Sequence, residues 1–147
     1  MQTLTLVRGL PGSGKTSFAG LLASNNKSVV LSADDFFTKN GVYSFDPKKL
    51  PEAHNYCQMM TRIQLDNFCS VVVANTFSQR WEMEVYIRIA KEKNIRLYVS
   101  DIFDGGLTNE ELHKRNVHQV PLETIASMRM RWEHNWREGN PIPPWER

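Results

Sequence analysis

Short apolar runs alternate with longer amphipathic ones along most of the chain. Thr3 to Val7 is apolar and β-branched, which predicts a strand, and it runs through Arg8-Gly9 into a glycine-rich loop. Ser17 to Ala23 has a helical pattern, and Ser28 to Leu31 predicts a second short strand closed by Asp34-Asp35. Phe36 to Pro47, with Gly41, Asp46 and Pro47, reads as a loop. Leu50 to Cys69 carries Ala53, Tyr56, Cys57, Met60 and Ile63 at helical spacing, with Pro51 tolerated in the first turn. Ser70 to Ala74 is continuously apolar, as a strand covered on both faces would be. Gln79 to Lys93 predicts a helix with Trp81, Val85 and Ile89 on one stripe, and Ile95 to Ile102 a fourth strand. After Gly105-Gly106, Thr108 to Glu111 forms a capping box. Pro121 to Trp136 predicts a last helix, with Leu122, Ile125, Met128 and Trp132 on its apolar face. Asn140 to Trp145 is too rich in proline for helix and is expected to be extended.

This alternation predicts an α/β fold: a three-layer sandwich with a mostly parallel sheet of about four to five strands, helices on both faces and a short helical lid. Ligands of such folds bind beyond the carboxyl ends of the strands. Three of those ends carry polar residues, Gly9 to Thr16, Asp34-Asp35 and Asn75-Thr76, and they are expected to converge. A length of 147 residues gives one domain, residues 1–138, and a Pro-rich tail, residues 139–147.

Composition narrows the function classes. Apolar residues are 41% and charged residues 23%, which argues against disorder, collagen and low complexity. Lys plus Arg is 18 and Asp plus Glu is 16, giving a net charge of +2. That charge admits an anionic substrate and falls short of a protein that coats nucleic acid. Two cysteines, Cys57 and Cys69, exclude a disulfide scaffold and disfavour a Cys-built zinc site. Placed in one helix they lie about 18 Å apart, too far to pair, and read as reduced cytosolic thiols. No membrane span, signal-peptide pattern or internal repeat is present, so a cytoplasmic location with no obligate protein partner is expected.

Residues 9 to 16 read Gly-Leu-Pro-Gly-Ser-Gly-Lys-Thr, the G-x-x-x-x-G-K-[ST] phosphate-binding loop. Chance produces it on the order of 1 in 200 in such a chain, and here a strand precedes it and a helix follows. Gly9, Gly12 and Gly14, with Pro11 and Ser13, let successive N–H groups turn toward one anion. The helix entered at Lys15, Thr16 and Ser17 adds its positive end. Lys15 supplies a mobile charge for the β and γ phosphates, and Thr16 a hydroxyl for Mg²⁺.

The acids separate a kinase from a switch or motor. Asp34, beside the loop, is placed to take the proton of an attacking hydroxyl. Asp35 is a candidate to orient Asp34, to hold a Mg²⁺-bound water, or to cap the next element. Asn75 and Thr76 are candidates for substrate contact, since Ala74 puts no carboxylate at that strand end. Arg115, in Lys114-Arg115-Asn116 on a glycine-hinged lid, is the candidate to offset phosphate charge. His118 could touch phosphate, although His54 and His118 both read first as structural. Arg129, Arg131 and Arg137 read as a solvated basic face. The aromatics Phe36, Phe37, Tyr43 and Phe45 read equally as a base-stacking surface or as a staple for their loop.

Taken together these stretches resemble the polynucleotide-kinase-like branch of the P-loop kinases. The matching residues are Arg8 to Thr16, Ser32 to Phe37, Phe45-Asp46-Pro47, Ala53-His54, Asn75-Thr76, Trp81-Glu82, Lys114-Arg115-Asn116 and Val120-Pro121. They span Leu6 to about Trp132. The resemblance implies a parallel sheet flanked by helices and γ-phosphate transfer from ATP to a hydroxyl, typically a 5′-hydroxyl of DNA or RNA. It places Asp34 on the general base, Lys15 and Thr16 on the phosphate and Mg²⁺ residues, Arg115 on the lid arginine, and Asn75 where the acceptor is held. Four departures bear on the acceptor. Ala74 and Phe77 stand where small relatives often have an acid and an asparagine, and Gln119 where a glycine is common. Phe37 stands where phage members have a basic residue. No phosphatase domain is expected after Arg147.

The expectation is an ATP- and Mg²⁺-dependent kinase acting on a polynucleotide 5′-hydroxyl. The alternatives are a hydroxymethyl-pyrimidine base in DNA, a small nucleoside-like metabolite, or an ATP-binding module without transfer activity.

Overall fold

The computed structural model describes residues 1–147. Four strands form one parallel sheet: β1 (Thr3–Gly9), β2 (Val29–Leu31), β5 (Val71–Asn75) and β6 (Arg96–Phe103), in the order β2-β5-β1-β6. Alternation along β1 sorts its side chains onto two faces. Leu4 and Leu6 join Val71 and Val73 in the larger core, beneath α2 (Leu50–Asp66) and α3 (Arg80–Glu92). Val7 joins Val72 and Ala74 on the other face, beneath Ala19 and Ala23 of α1 (Lys15–Asn26). Every residue of β5 is buried, as its unbroken apolar run predicts. A third cluster joins Leu10 after β1 to Leu112 of α4 (Asn109–Arg115), Ile125 of α5 (Leu122–Met130) and Trp132. This cluster fixes the lid to the sheet.

Four stretches differ from the sequence reading, each for a local reason. The segment from Phe36 to Pro47 holds a small antiparallel hairpin, β3 (Thr38–Lys39) and β4 (Val42–Tyr43), after a 3₁₀ turn over Ala33–Phe37. Helix α2 stops at Asp66, so Cys69 lies outside it. Phe68 turns left-handed at φ 64° and the Gln2 side-chain amide donates to the carbonyls of Leu65 and Cys69, capping the helix end. Cys57 is buried and unpaired. Helix α5 ends at Met130, six residues early, because Trp132 and Glu133 are drawn to Arg8 on β1. The tail carries a 3₁₀ turn, Pro144–Glu146, with Trp145 edge-on to Trp81 at 5.1 Å.

Arg8 is the polar centre of this arrangement. It is 0% exposed, and its pKa is lowered by that burial against the opposing pull of Asp101. Register places it between Asn75 and Asp101 on the flanking strands. Nε donates to Phe77 O at 2.9 Å, Nη2 to Ser78 O at 3.1 Å, and Nη1 to Glu133 O and Asp101 Oδ2, both at 2.9 Å. The guanidinium lies 4.1 Å from the Trp132 ring centroid. A residue that merely interrupts an apolar run in the sequence thus ties three strand ends to the segment after α5, directly beneath the phosphate loop.

Candidate functional site

The three polar strand ends do converge. Gly9 N–H donates to Thr76 O at 3.2 Å, and Ala33 N–H donates to the Asn75 side-chain oxygen at 2.9 Å. These two bonds lace the carboxyl ends of β1, β2 and β5 into one rim.

On that rim the loop from Gly9 to Thr16 turns into α1. Phe18 N–H is the first to find a carbonyl, that of Gly14, which leaves the N–H groups of Lys15, Thr16 and Ser17 at the open helix end. Thr16 and Ser17 are exposed, Pro11 and Ser13 buried. Ser13 Oγ is buried with no hydrogen-bond partner. Gly12 has φ 82°, and a Cβ there would lie 2.3 Å from Leu112 O of α4. Gly105 is seated as closely, since its Cβ would meet Ser13 O at 2.6 Å. The lid therefore rests on the loop through glycine-only contacts at both of its ends. Arg129 secures the same segment from α5, donating to Asn109 Oδ1 and Asp104 Oδ2 at 2.7 Å and to Leu107 O at 2.8 Å. Arg131 donates to Ser78 Oγ at 3.0 Å, so two of the three arginines expected on a solvated face are structural ties.

Lys15 faces Asp34. Burial lowers the Lys15 pKa, and the Asp34 charge pulls it back up. Asp34 in turn is held from two distant elements. The Tyr43 hydroxyl on β4 donates to Oδ1 at 3.3 Å, and His118 Nε2, on the segment after α4, lies 3.5 Å from Oδ2. The Tyr43 and His118 rings pack at 4.3 Å between centroids with a 35° tilt. Loss of solvent pushes the Tyr43 phenol up to about 12, with the Asp34 charge and hydrogen bond adding to it.

The remaining candidates separate. Asp35 accepts from Ser32 N–H at 3.0 Å and completes the capping box of the 3₁₀ turn, the capping option among its three. Phe37 is 5% exposed and packed against Phe36, Tyr43 and Phe45, so the aromatics staple their loop and Phe37 is a core residue, contrary to its expected substrate contact. Asn75 is 7% exposed, with its oxygen on Ala33 N–H and its amide near Cys57 Sγ, so it holds the turn carrying Asp34 instead of pointing at a substrate. Thr76 lends its backbone carbonyl to the rim. Arg115 is exposed on the turn of α4 that meets Gly12, and its charge helps keep Glu111 ionised after the Thr108 hydrogen bonds.

Two departures from the resembling family gain a physical reason. Phe77 has φ 48° and Gln119 φ 56°, the left-handed region that asparagine and glycine enter most readily. The residues common at those positions serve the backbone. Phe77 is 3% exposed with its ring on Tyr86, so its difference carries no information about the acceptor.

The family AAA_33, described as an AAA domain, matches residues 4–134. Human NEDD4-binding protein 2 is 38% identical over 128 residues, covering 85% of this chain and 7% of that protein. The chain thus spans a small fraction of the curated relative it matches. Among solved structures, a chain of the Pnkp1/Rnl/Hen1 RNA repair complex superposes with TM-score 0.69 at 21% identity, over 88% of this chain and 43% of that one. A sugar kinase from Janibacter sp. HTCC2649 superposes with TM-score 0.64 at 18% identity, over 99% of this chain and 90% of that one. Both show the same P-loop kinase-like fold.

Proposed function

This chain belongs to the AAA_33 family, and on that premise we propose that it is an ATP-dependent phosphotransferase acting on a hydroxyl of a nucleic acid, foremost a polynucleotide 5′-hydroxyl. The observation that carries this reading is that the Asp34 carboxylate stands on the same rim as Lys15 at the open end of α1, near enough for its charge to act on the ammonium.

The residues fit a nucleotide triphosphate. The unpaired N–H groups at Lys15 to Ser17, the partnerless Ser13 hydroxyl and the Lys15 ammonium form a donor set for phosphate oxygens. Mg²⁺ fits as an ion held by Thr16 and otherwise by phosphate oxygens and water, and it would neutralise charge on the phosphates. Asp34 accepts the acceptor hydroxyl's proton as the acceptor oxygen bonds to the γ-phosphorus. The bond from that phosphorus to the bridging oxygen breaks, and its electron pair leaves with ADP. Lys15, joined by Arg115 from the lid, offsets the charge that develops. The capping of Asp35 and the inward turn of Asn75 support Asp34 by fixing the turn it sits on.

A second reading, nucleotide binding without transfer, draws on the end of β5, where Ala74 and the inward-turned Asn75 offer no carboxylate to organise the metal. One assay separates the two: labelled γ-phosphate from ATP-Mg²⁺, offered to 5′-hydroxyl DNA and RNA oligomers, hydroxymethyl-pyrimidine DNA with blocked 5′ ends, free nucleosides and simple sugars. Label on an oligomer end, abolished in Lys15→Ala, is the expected result. Label on a nucleoside or sugar alone would move the acceptor class. Nucleotide binding with label on nothing would favour the second reading.

A further inference from the structure

His118 is the least expected group at the rim. The segment that carries it is tightly determined. Asn116 Oδ1 accepts from Val120 N–H at 2.8 Å while its amide donates to His113 O at 3.0 Å, closing residues 116–120 into a turn. Gln119, in the left-handed region at φ 56°, bends the chain just after the histidine. A non-glycine residue held there is strained. Strain of this kind is a pointer toward function when the side chain it aims reaches a reacting group. Here the aimed side chain is His118. Its ring packs on Tyr43, and its Nε2 faces the Asp34 carboxylate, while Val117 beside it points to solvent.

We propose that the acceptor subsite is the place the His118 ring now fills, so that His118 stands in for the acceptor and leaves when one binds. The stand-in has two halves. Nε2 lies where a hydroxyl would need to be to give its proton to Asp34, at 3.5 Å from Oδ2. The imidazole covers Tyr43 at 4.3 Å, where a flat ring of the acceptor would stack. The chemical class recognised is therefore a flat ring joined to a hydroxyl, as a nucleoside or a 5′-terminal nucleotide carries on its base and sugar. With no acceptor bound, His118 covers one side of Asp34, whose side chain stays 43% exposed on the other. Because His118 lies between α4 and α5, its departure also frees one of the ties between the lid and the hairpin.

This inference rests on the phosphotransferase reading, and its test keeps the two apart. The His118 signal in the proton NMR spectrum of the full chain, identified by its loss in His118→Ala, is expected to be shifted by the Tyr43 ring. Saturating nucleoside with a non-hydrolysable ATP analogue and Mg²⁺ should remove that shift, and ribose should not. This readout needs no turnover, so it stands even if no acceptor is phosphorylated. In kinetics, His118→Ala should lower the acceptor KM several-fold and leave the ATP KM unmoved. His118→Phe keeps a ring on Tyr43 that an acceptor must still displace, so its acceptor KM should stay near that of the parent. A fall in kcat at unchanged acceptor KM in His118→Ala would overturn the proposal and make His118 a positioning residue. So would a His118 signal that saturating nucleoside leaves in place.

Discussion

The two banks of the rim are built by different means. On the donor bank, the loop and the start of α1 are eight consecutive residues whose backbone does the work, seated against the lid by Gly12 and Gly105. On the acceptor bank, Asp34, Tyr43 and His118 come from three elements and meet through side chains. A phosphate is the same in every nucleotide, and a fixed cradle of N–H groups suits it. An acceptor must be admitted and matched in shape, and side chains on a hairpin and a lid can move to do so. The contrast places rigidity where the ligand is constant and adjustability where it is selected.

The most severe way to break the contrast is to remove what both banks stand on. Arg8→Ala leaves the carbonyls of Phe77, Ser78 and Glu133 and the Asp101 carboxylate without their donor. Chemical denaturation should show a loss of about 3–5 kcal/mol, with both nucleotide binding and turnover failing together. Lys15→Met strikes the donor bank alone. Turnover should fall by about a hundredfold to a thousandfold. The unliganded fold should nonetheless gain stability near neutral pH, because burial lowers the Lys15 pKa. The folded chain then binds fewer protons there than the unfolded one, so the parent's stability rises as pH climbs from that lowered value toward 10.5. Melting curves across that window should show the rise in the parent and its loss in the variant.

Gly12→Ala tests the seating of the lid. The new Cβ meets backbone at 2.3 Å in a left-handed residue, so a cost of about 1–3 kcal/mol is expected. Proteolysis between Gly105 and Val120 should speed up as the lid lifts. The smallest effect belongs to Tyr43→Phe. The Tyr43 phenol titrates near 12 in the fold, above its ordinary value of 10.0, so its contribution is whole below pH 10 and lost as pH rises through 12. The variant should lose a little stability at neutral pH and show a flatter alkaline decline.

How much of this was legible in sequence follows the same division. The loop, the alternation of strands and helices, the capping box at Thr108 and the polar strand ends are local patterns, and the fold realises each of them. Arg8 reads as an interruption because its partners at residues 77, 78, 101 and 133 are remote in the chain. Helix α5 reads too long because periodicity cannot register that Trp132 and Glu133 are drawn away toward that arginine. Phe37 reads equally as a stacking surface or a staple because the hairpin that buries it consists of two two-residue strands, too short to register in the sequence. Asp35 and Asn75 carry the chemistry expected of ligands and spend it on caps and turns, a competition that only the hydrogen-bond partners decide. The signal for His118 was present as Gln119 in a place that favours glycine, and it gains meaning once φ is known to be positive there.

The central claim is that one bank holds the nucleotide while the other performs proton transfer. Asp34→Asn keeps the shape of the side chain and removes its basicity. Calorimetry with ATP-Mg²⁺, paired with turnover on the best acceptor from the panel, should show nucleotide affinity within a few-fold of the parent and transfer lower by about a hundredfold or more. Transfer that survives Asp34→Asn intact would contradict the account, since the carboxylate that Tyr43 and His118 hold beside the phosphate loop would then have no part in the chemistry.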